Sequence, residues 1–148
     1  MIPGTVLFDP DFEFKDGAKG RKIFIVLNNG NEGIYVAVKT TSKGDRYDIK
    51  HGCQILDRFP NYHLVKGSCC FLSENTWIQL DNFFEFKSDL LMQRVMVGEI
   101  NRLGVLEDQQ AIDLLVCTSH SEDLSLSQEK LVQCSLASLK NTLGEAAC

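Results

Sequence analysis

Two short apolar runs, separated by a turn-forming segment, dominate the first third of the chain. Residues 22–27 are a nearly continuous run of β-forming side chains, as in a strand buried on both faces. Residues 28–32, with Gly30 among them, are typical of a hairpin or loop. Residues 34–38 then form a second β-rich run. Together these segments predict two adjacent strands of one sheet.

Further short strands are predicted on both sides of this pair. Residues 5–8 are a β-prone run followed by the turn-forming residues 9–11. The remaining candidates are residues 54–56, 68–72, 77–80 and 83–86, with turns around Pro60, Gly67 and residues 73–75. Several short strands joined by tight turns indicate a small barrel or a strongly bent sheet.

The pattern becomes helical in the last third of the chain. Residues 90–103 are compatible with a helix, although residues 95–97 are equally compatible with a strand. Residues 107–117 predict a helix with an acidic first turn. Residues 127–139 predict another, capped by a serine near its start in one of two registers. The tail after Gly144 is expected to fray.

The size and composition of the chain predict one globular domain. Its 148 residues are enough for a single hydrophobic core, and 44% hydrophobic with 24% charged residues argues against pervasive disorder. No window approaches the roughly 18 to 20 apolar residues of a membrane span, and residues 1–10 lack the features of a signal peptide. We therefore expect a cytoplasmic protein with no membrane partner.

The six cysteines show no metal-binding or redox spacing. None forms a C-x-x-C pair, and none lies at metal-site spacing from a histidine. We therefore expect reduced thiols, no metal and no cofactor. The six are Cys53, Cys69, Cys70, Cys117, Cys134 and Cys148.

The charge of the chain is unevenly distributed. The net charge is -5, yet residues 15–50 carry eight basic and four acidic side chains, a local charge of +4. Residues 107–148 carry two basic and seven acidic side chains, a local charge of -5. Since the local potential decides contact, a basic face on this acidic protein is compatible with binding a short polyanion. A solvated charged surface explains the same pattern.

Five segments, in this order, resemble the MazF/PemK family of toxin endoribonucleases from bacterial type II toxin-antitoxin systems. They read PGTVLFDP, GRKIFIVLNN, VAVKTTSK, FLSENTWIQLDNFFEF and VGEINRLGVLEDQQAIDLLV, and they span residues 3–117. The resemblance implies an α+β, mainly β fold, namely a small SH3-like barrel of the MazF/PemK/CcdB type with C-terminal helices. Residues 1–118 would form the barrel domain with its closing helix, and residues 119–148 an additional helix and tail packed on it.

The same resemblance implies a metal-independent endoribonuclease that cleaves single-stranded RNA by attack of the 2'-hydroxyl. The catalytic arginine of the family matches Arg21, its catalytic threonine matches Thr41, and the serine next to that threonine matches Ser42. A guanidinium suits the charge that builds on the phosphate oxygens. Because Thr40 precedes Thr41, the register of the strand decides which hydroxyl faces the site.

Basic and aromatic residues near these positions are candidates for RNA binding. Lysines and an arginine contact phosphates, and tyrosine stacks on unpaired bases. The candidates are Lys15, Lys19, Lys22, Lys43, Arg46 and Tyr47. His51 and His63 are possible acid or base groups, although a structural role is the commoner one for such histidines.

The family resemblance also bears on partners. It implies a homodimer and a cognate antitoxin protein whose acidic tail would occupy the basic groove. The alternative is a catalytically inactive SH3-like binding module that recognises a protein or nucleic-acid partner. The presence of Arg21 together with Thr41 and Ser42 favours the enzyme. A DNA nuclease is disfavoured because the sequence offers no carboxylate cluster suited to two-metal chemistry.

Overall fold

The computed structural model describes residues 1–141 as seven strands and three helices. The strands are β1 (Thr5–Glu13), β2 (Lys19–Val26), β3 (Ile34–Thr41), β4 (Gly52–Gln54), β5 (Asn61–Leu64), β6 (Thr76–Lys87) and β7 (Asn101–Val105). The helices are α1 (Ser88–Met96), α2 (Asp108–Ser119) and α3 (Leu126–Lys140). The expected fraying after Gly144 and the thiol of Cys148 lie outside the described residues.

The strands form one sheet in the order β4-β5-β6-β3-β2-β1-β7, and every neighbouring pair is antiparallel. The predicted α+β, mainly β class is therefore confirmed. The two apolar runs of the first third of the chain are the adjacent strands β2 and β3, with Phe24 opposite Lys39 and Val26 opposite Ala37.

Strand β1 differs from its prediction. The predicted turn at residues 9–11 is wrong, because the strand continues to Glu13 across a register shift between Asp9 and Phe12. The backbone NH of Asp11 donates to the carboxylate of the buried Asp9, at 2.9 Å. A side chain that accepts from the backbone two residues on is a turn signal in sequence, and here it shapes a bulge inside a strand.

The region between β3 and β6 contains two further differences. The predicted strand at residues 68–72 is wrong, because these residues form successive turns from which Cys69 and Leu72 reach the core. Strand β5 was not predicted, since the polar side chains of Asn61 and His63 obscure its pattern although all four residues are buried. The predicted strands 77–80 and 83–86 are halves of the single strand β6.

Strand β6 pairs with β3 over two separate stretches. Val38 lies opposite Phe83 and Thr40 lies opposite Ile78, so four residues of β6 correspond to one residue of β3. The first half of β6 also pairs with β5, with Trp77 opposite His63. This irregularity re-aims the sheet at the end of β3 and sets which side chains meet there.

The sheet has two faces with different coverings. On the helix-covered face, α2 and α3 pack their apolar side chains on alternate residues such as Ile25, Val36 and Val38. On the other face, which we call the aromatic face, Phe24 and Phe84 pack with neighbouring rings and with Leu91 of α1. Alternation along each strand produces this division.

The helices follow the predicted order with changed boundaries. The run at residues 90–103 is split, because α1 ends at Met96, Gly98 takes a positive φ of 83°, and β7 follows. Helix α2 confirms the prediction at residues 107–117. Helix α3 starts with a capping box between Ser125 and Gln128, which settles the register of its cap. Within residues 1–141, none of the helices is both long and apolar enough to cross a membrane.

A disulfide links Cys53 of β4 to Cys117 of α2. Cys134 is also disulfide-bonded. The expectation of reduced thiols is therefore wrong for these three residues, and the pairing was not visible because Cys53 and Cys117 are 64 residues apart. Cys69 and Cys70 are free thiols, and burial raises the pKa of Cys69.

Candidate functional site

A cleft of about 300 Å³ opens where β2, β3 and the start of β6 meet. Its apolar wall belongs to the helix-covered face, since Ile23 and Phe71 pack against that core and Leu72 is part of it. Its polar lining combines a guanidinium, hydroxyls and one carboxylate. These polar residues are Arg21, Lys22, Thr40, Ser42, Ser73, Glu74 and Thr76.

Arg21 lies on β2 with an exposed side chain. Its guanidinium carbon is 5.5 Å from the centroid of the Phe8 ring, a cation–π contact that orients the group beside the cleft. Neither of the salt bridges found among residues 1–141 involves Arg21. The donors of the guanidinium are therefore not committed to a protein carboxylate and are available to an anion.

The two threonines at the end of β3 have different roles. Thr40 is buried and lines the cleft, and its Oγ1 donates to the carbonyl of Ile23 at 2.9 Å, which ties β3 to β2. Thr41 is half-buried and is not among the residues that line the cleft, and its Oγ1 accepts from the backbone NH of Lys43 at 3.1 Å. The register left open by the sequence therefore brings Thr40, not Thr41, to the side of Arg21.

Strand alternation gives the reason. Lys39 lies opposite Phe24 on the aromatic face, and Thr41, two residues further, lies opposite Trp77 on the same face. Arg21 alternates with Ile23 and Ile25 on the helix-covered face. The structure thus brings Arg21 together with Ser42, as the sequence predicted, and leaves Thr41 on the opposite face.

Glu74 is a cleft residue that the sequence analysis missed. It is exposed in the turn before β6, where the sequence indicated only a loop. The pairing of Thr41 with Trp77 carries this turn to the end of β3. A carboxylate beside a guanidinium and hydroxyls can accept a proton, so Glu74 is the candidate base of the cleft.

A second group of polar side chains lies on the aromatic face. We call it the basic–aromatic surface, formed by Lys22, Lys39, Lys43, Arg46, Tyr47 and Phe59. The guanidinium of Arg46 is 4.5 Å from the Phe59 ring centroid and donates to the hydroxyl of Tyr47 at 3.2 Å. Lys39, which the sequence analysis did not select, donates to Gln79 at 2.6 Å.

The lysines of this surface are electrostatically strained. Burial, and then the charges of Lys39 and Lys43, lower the pKa of Lys22. Burial also lowers the pKa of Lys39, with Asp81 opposing the shift and Arg46 adding to it. These side chains lie close enough for their charges to interact, and the unfavourable part of that interaction is repulsion between cations.

The other two predicted RNA-binding lysines lie elsewhere. The Nζ of Lys15 is 5.0 Å from the Phe84 ring centroid on the aromatic face. Lys19 lines a different cleft, beside Glu13 and Glu85 near α1. Lys19 is therefore separated from the basic–aromatic surface.

Neither candidate histidine lines the cleft. His51 Nδ1 accepts from the backbone NH of Val65 at 3.3 Å. His63 is buried and stacks on Trp77 with ring centroids 4.4 Å apart, and its Nδ1 lies 3.2 Å from the carbonyl of Lys50. Both histidines contact structural groups. Within residues 1–141, no group of three or more His, Cys, Asp or Glu side chains is arranged to hold a metal ion.

Comparisons with protein-family models, with curated proteins and with solved structures gave no significant match. The chemistry of the cleft and of the basic–aromatic surface is therefore argued from their own residues.

Proposed function

We propose that this protein is a metal-independent endoribonuclease that cleaves single-stranded RNA, with the SH3-like barrel of the MazF/PemK toxins. The observation that carries the proposal is the convergence of Arg21, Ser42 and Glu74 on one cleft. A guanidinium, a hydroxyl and a carboxylate together supply charge stabilisation, orientation and a base.

The architecture supports this reading. SH3-like barrels are small antiparallel sheets whose strands bend sharply, and β6 pairs with β3 over two offset stretches in the way that such bending requires. Fold likeness alone does not assign chemistry, so the proposal depends on the residues of the cleft.

The proposed reaction begins with the RNA phosphate against Arg21. Glu74 takes the proton of the ribose 2'-hydroxyl, and the 2'-oxygen attacks phosphorus. As the phosphorus becomes five-coordinate, Arg21 stabilises the charge on its non-bridging oxygens, and Ser42 donates to the same phosphate. The bond to the 5'-oxygen then breaks, and that oxygen takes a proton from water. The products are a 2',3'-cyclic phosphate and a free 5'-hydroxyl.

The proposal gives Thr40 and Thr41 different parts from those implied by the family resemblance. Thr40 uses its hydroxyl proton to hold β3 to β2, and so it positions the cleft. Thr41 faces the basic–aromatic surface and contributes nothing to the reacting phosphate. Catalysis would therefore depend on Arg21, Glu74 and Ser42, in descending order of effect.

As a toxin, the enzyme would be a homodimer restrained by a cognate antitoxin. The uneven charge of the chain supports such a partner, because an acidic antitoxin tail would complement the net charge of +4 on residues 15–50. Acting on cellular RNA would place the protein in the cytoplasm, where thiol reductants open most disulfides. The Cys53–Cys117 bridge is the observation that opposes this location, so cleavage has to survive its reduction.

The experiment is incubation of a long single-stranded RNA with the purified protein in EDTA, with and without a thiol reductant, followed by mapping of the cut sites and their end groups. We expect cyclic phosphate ends. Arg21→Ala and Glu74→Gln should each lower the rate by about 100-fold or more. Thr41→Val is the matched control and should stay within about threefold of wild type.

Two results would overturn the proposal. One is the absence of cleavage by the folded protein over a broad set of RNA sequences. The other is equal loss of activity in Thr41→Val and Arg21→Ala, which would move the site to the opposite face.

One observation favours the alternative of a non-catalytic binding module. Arg21 and Thr41, the two residues that the family resemblance pairs in catalysis, lie on opposite faces of the sheet. A module that only binds a partner does not require them to meet. It would retain RNA or protein binding while failing to cleave.

A further inference from the structure

We propose that the basic–aromatic surface binds the phosphates of a single-stranded nucleic acid, at a site separate from the cleft and on the opposite face of the sheet. The inference rests on the proposed function only in naming RNA as the natural strand. It is carried by the arrangement of donors, rings and backbone around Lys39, Arg46 and Tyr47.

The cations of this surface have no acidic partner at contact distance. Only Arg94 forms salt bridges among residues 1–141, with Asp9 and Glu99. Lys22, Lys39, Lys43 and Arg46 therefore keep their charge uncompensated by an ion pair. A phosphate placed among them would relieve their mutual repulsion, and it would supply the missing counter-charge.

A chain of hydrogen bonds turns these groups into donors toward solvent. Lys39 donates to Gln79, Gln79 donates to the Tyr47 hydroxyl at 2.9 Å, and Arg46 donates to the same hydroxyl. Gln79 is only 5% exposed, so the chain is anchored in the protein. The Tyr47 oxygen accepts twice and keeps its own proton, while Lys39 and Arg46 retain unused N–H groups. The ligand that matches such a set is an acceptor-rich anion.

The loop between β3 and β4, which carries Lys43, Arg46 and Tyr47, is held in place before any ligand arrives. The indole NH of Trp77 donates to the carbonyl of Asp48 at 2.8 Å, and the Tyr47 ring stacks on the Trp77 ring. A Cβ at Gly44 would collide with the Trp77 ring, so the loop backbone lies directly on it. A preorganised loop loses little entropy on binding.

Aromatic rings favour a nucleic acid over an acidic peptide. Tyr47 and Phe59 are half-buried, and each keeps part of its ring accessible beside Arg46. Unpaired bases stack on such rings, and a guanidinium adds cation–π contact. Trp77 and His63 lie buried behind Tyr47, and they support the platform without contacting the ligand.

The end of β3 connects this surface to the cleft. Ser42 lines the cleft, and the next residue, Lys43, belongs to the basic–aromatic surface. Consecutive Cα atoms are about 3.8 Å apart, so one strand of RNA crossing the end of β3 would contact both sites. The surface would then hold the segment next to the scissile phosphate.

The test measures binding of a short fluorescein-labelled 2'-O-methyl oligonucleotide by fluorescence anisotropy over a range of salt concentrations. Methylation removes the nucleophile, so binding is observed without cleavage. We expect Lys39→Gln/Arg46→Ala to weaken binding about tenfold or more and to lower the salt slope by about 2. Lys39→Gln keeps a donor for Gln79, and thermal unfolding checks that the variant is folded.

Two controls locate the effect. Lys130→Gln removes an exposed lysine of α3 and should leave binding unchanged. Arg21→Ala removes the cleft cation and should weaken binding by less than about threefold, because the methylated strand is held on the other face. Unchanged binding in the folded double variant would overturn the inference. So would capture of a polyglutamate peptide without capture of the oligonucleotide.

The results also separate this inference from the proposed function. Oligonucleotide binding that depends on Lys39 and Arg46, without cleavage of unmodified RNA, would support the phosphate site and refute the ribonuclease. Cleavage of unmodified RNA with normal binding by the double variant would support the ribonuclease and refute the phosphate site.

Discussion

The two faces of the sheet are closed by different kinds of interaction. On the helix-covered face, α2 and α3 bury aliphatic side chains against β2, β3 and β6. On the aromatic face, α1 and stacked phenylalanine rings cover one end, while half-buried lysines occupy the other. Apolar burial is the main source of folding free energy, and unpaired cations oppose it. One face therefore stabilises the protein, and the other sacrifices stability for a binding surface.

Each face also has one specific tie between a helix and the sheet. The disulfide joins α2 to the edge strand β4 on the helix-covered side. On the aromatic side, Arg94 of α1 donates to the buried Asp9 of β1 at 3.0 Å. One tie is covalent and the other ionic, so breaking each of them measures how far the two coverings depend on such links.

Removal of the disulfide should have the largest effect. In Cys53→Ala the loss should reach about 2–4 kcal/mol of unfolding free energy, because the bridge closes a long loop in the unfolded chain. The measurement is urea denaturation without reductant, compared with Cys70→Ala, which removes an exposed free thiol and should stay within about 0.5 kcal/mol. Equal stability of Cys53→Ala and wild type would show that α2 is held by packing alone.

Breaking the ionic tie should cost somewhat less. Arg94→Met leaves the Asp9 carboxylate buried without its charged partner, and we expect a loss of about 2 kcal/mol, because Arg94 is one-third exposed and water can reach the site. Arg102→Met, at an exposed arginine of β7, is the matched control. Asp9→Asn combined with Arg94→Met should recover part of the loss. A double variant less stable than Arg94→Met would contradict the explanation.

The same contrast explains what the sequence predicts. The strands β2 and β3 follow from continuous runs of β-forming residues, whereas β5 does not, because Asn61 and His63 become buried through hydrogen bonds to the carbonyl of Phe59 and toward that of Lys50. Those partners lie in irregular segments, and no periodicity reports them. Local pattern therefore predicts apolar strands well and polar buried strands poorly.

The candidate site shows the same limit. Arg21 and Ser42 were found from short motifs that keep their neighbours in sequence. Glu74 and Lys39 gain their roles from pairing across strands, Glu74 through Thr41 opposite Trp77 and Lys39 through Gln79. Since a shift of one residue reverses which side chains share a face, such partners depend on a register that the sequence leaves open.

The smallest predicted effect has the opposite sign. Lys22→Met should raise the unfolding free energy at neutral pH by a few tenths of a kcal/mol, because the charged lysine is half-buried and repelled by Lys39 and Lys43. The folded-state pKa of Lys22 lies below its unfolded value of 10.5, so the folded protein binds fewer protons between these two values. Stability of wild type relative to the variant therefore rises with pH across that window.

Urea denaturation of both proteins at neutral pH and near pH 10 checks this sign, since other titrating groups are common to both and cancel in the difference. The advantage of Lys22→Met should shrink as the pH rises, and the variant should bind the 2'-O-methyl oligonucleotide more weakly. An advantage that grows with pH would mean that packing of the methionine is responsible. A variant that is stabilised yet binds normally would separate stability from binding at this position, and would remove Lys22 from the basic–aromatic surface.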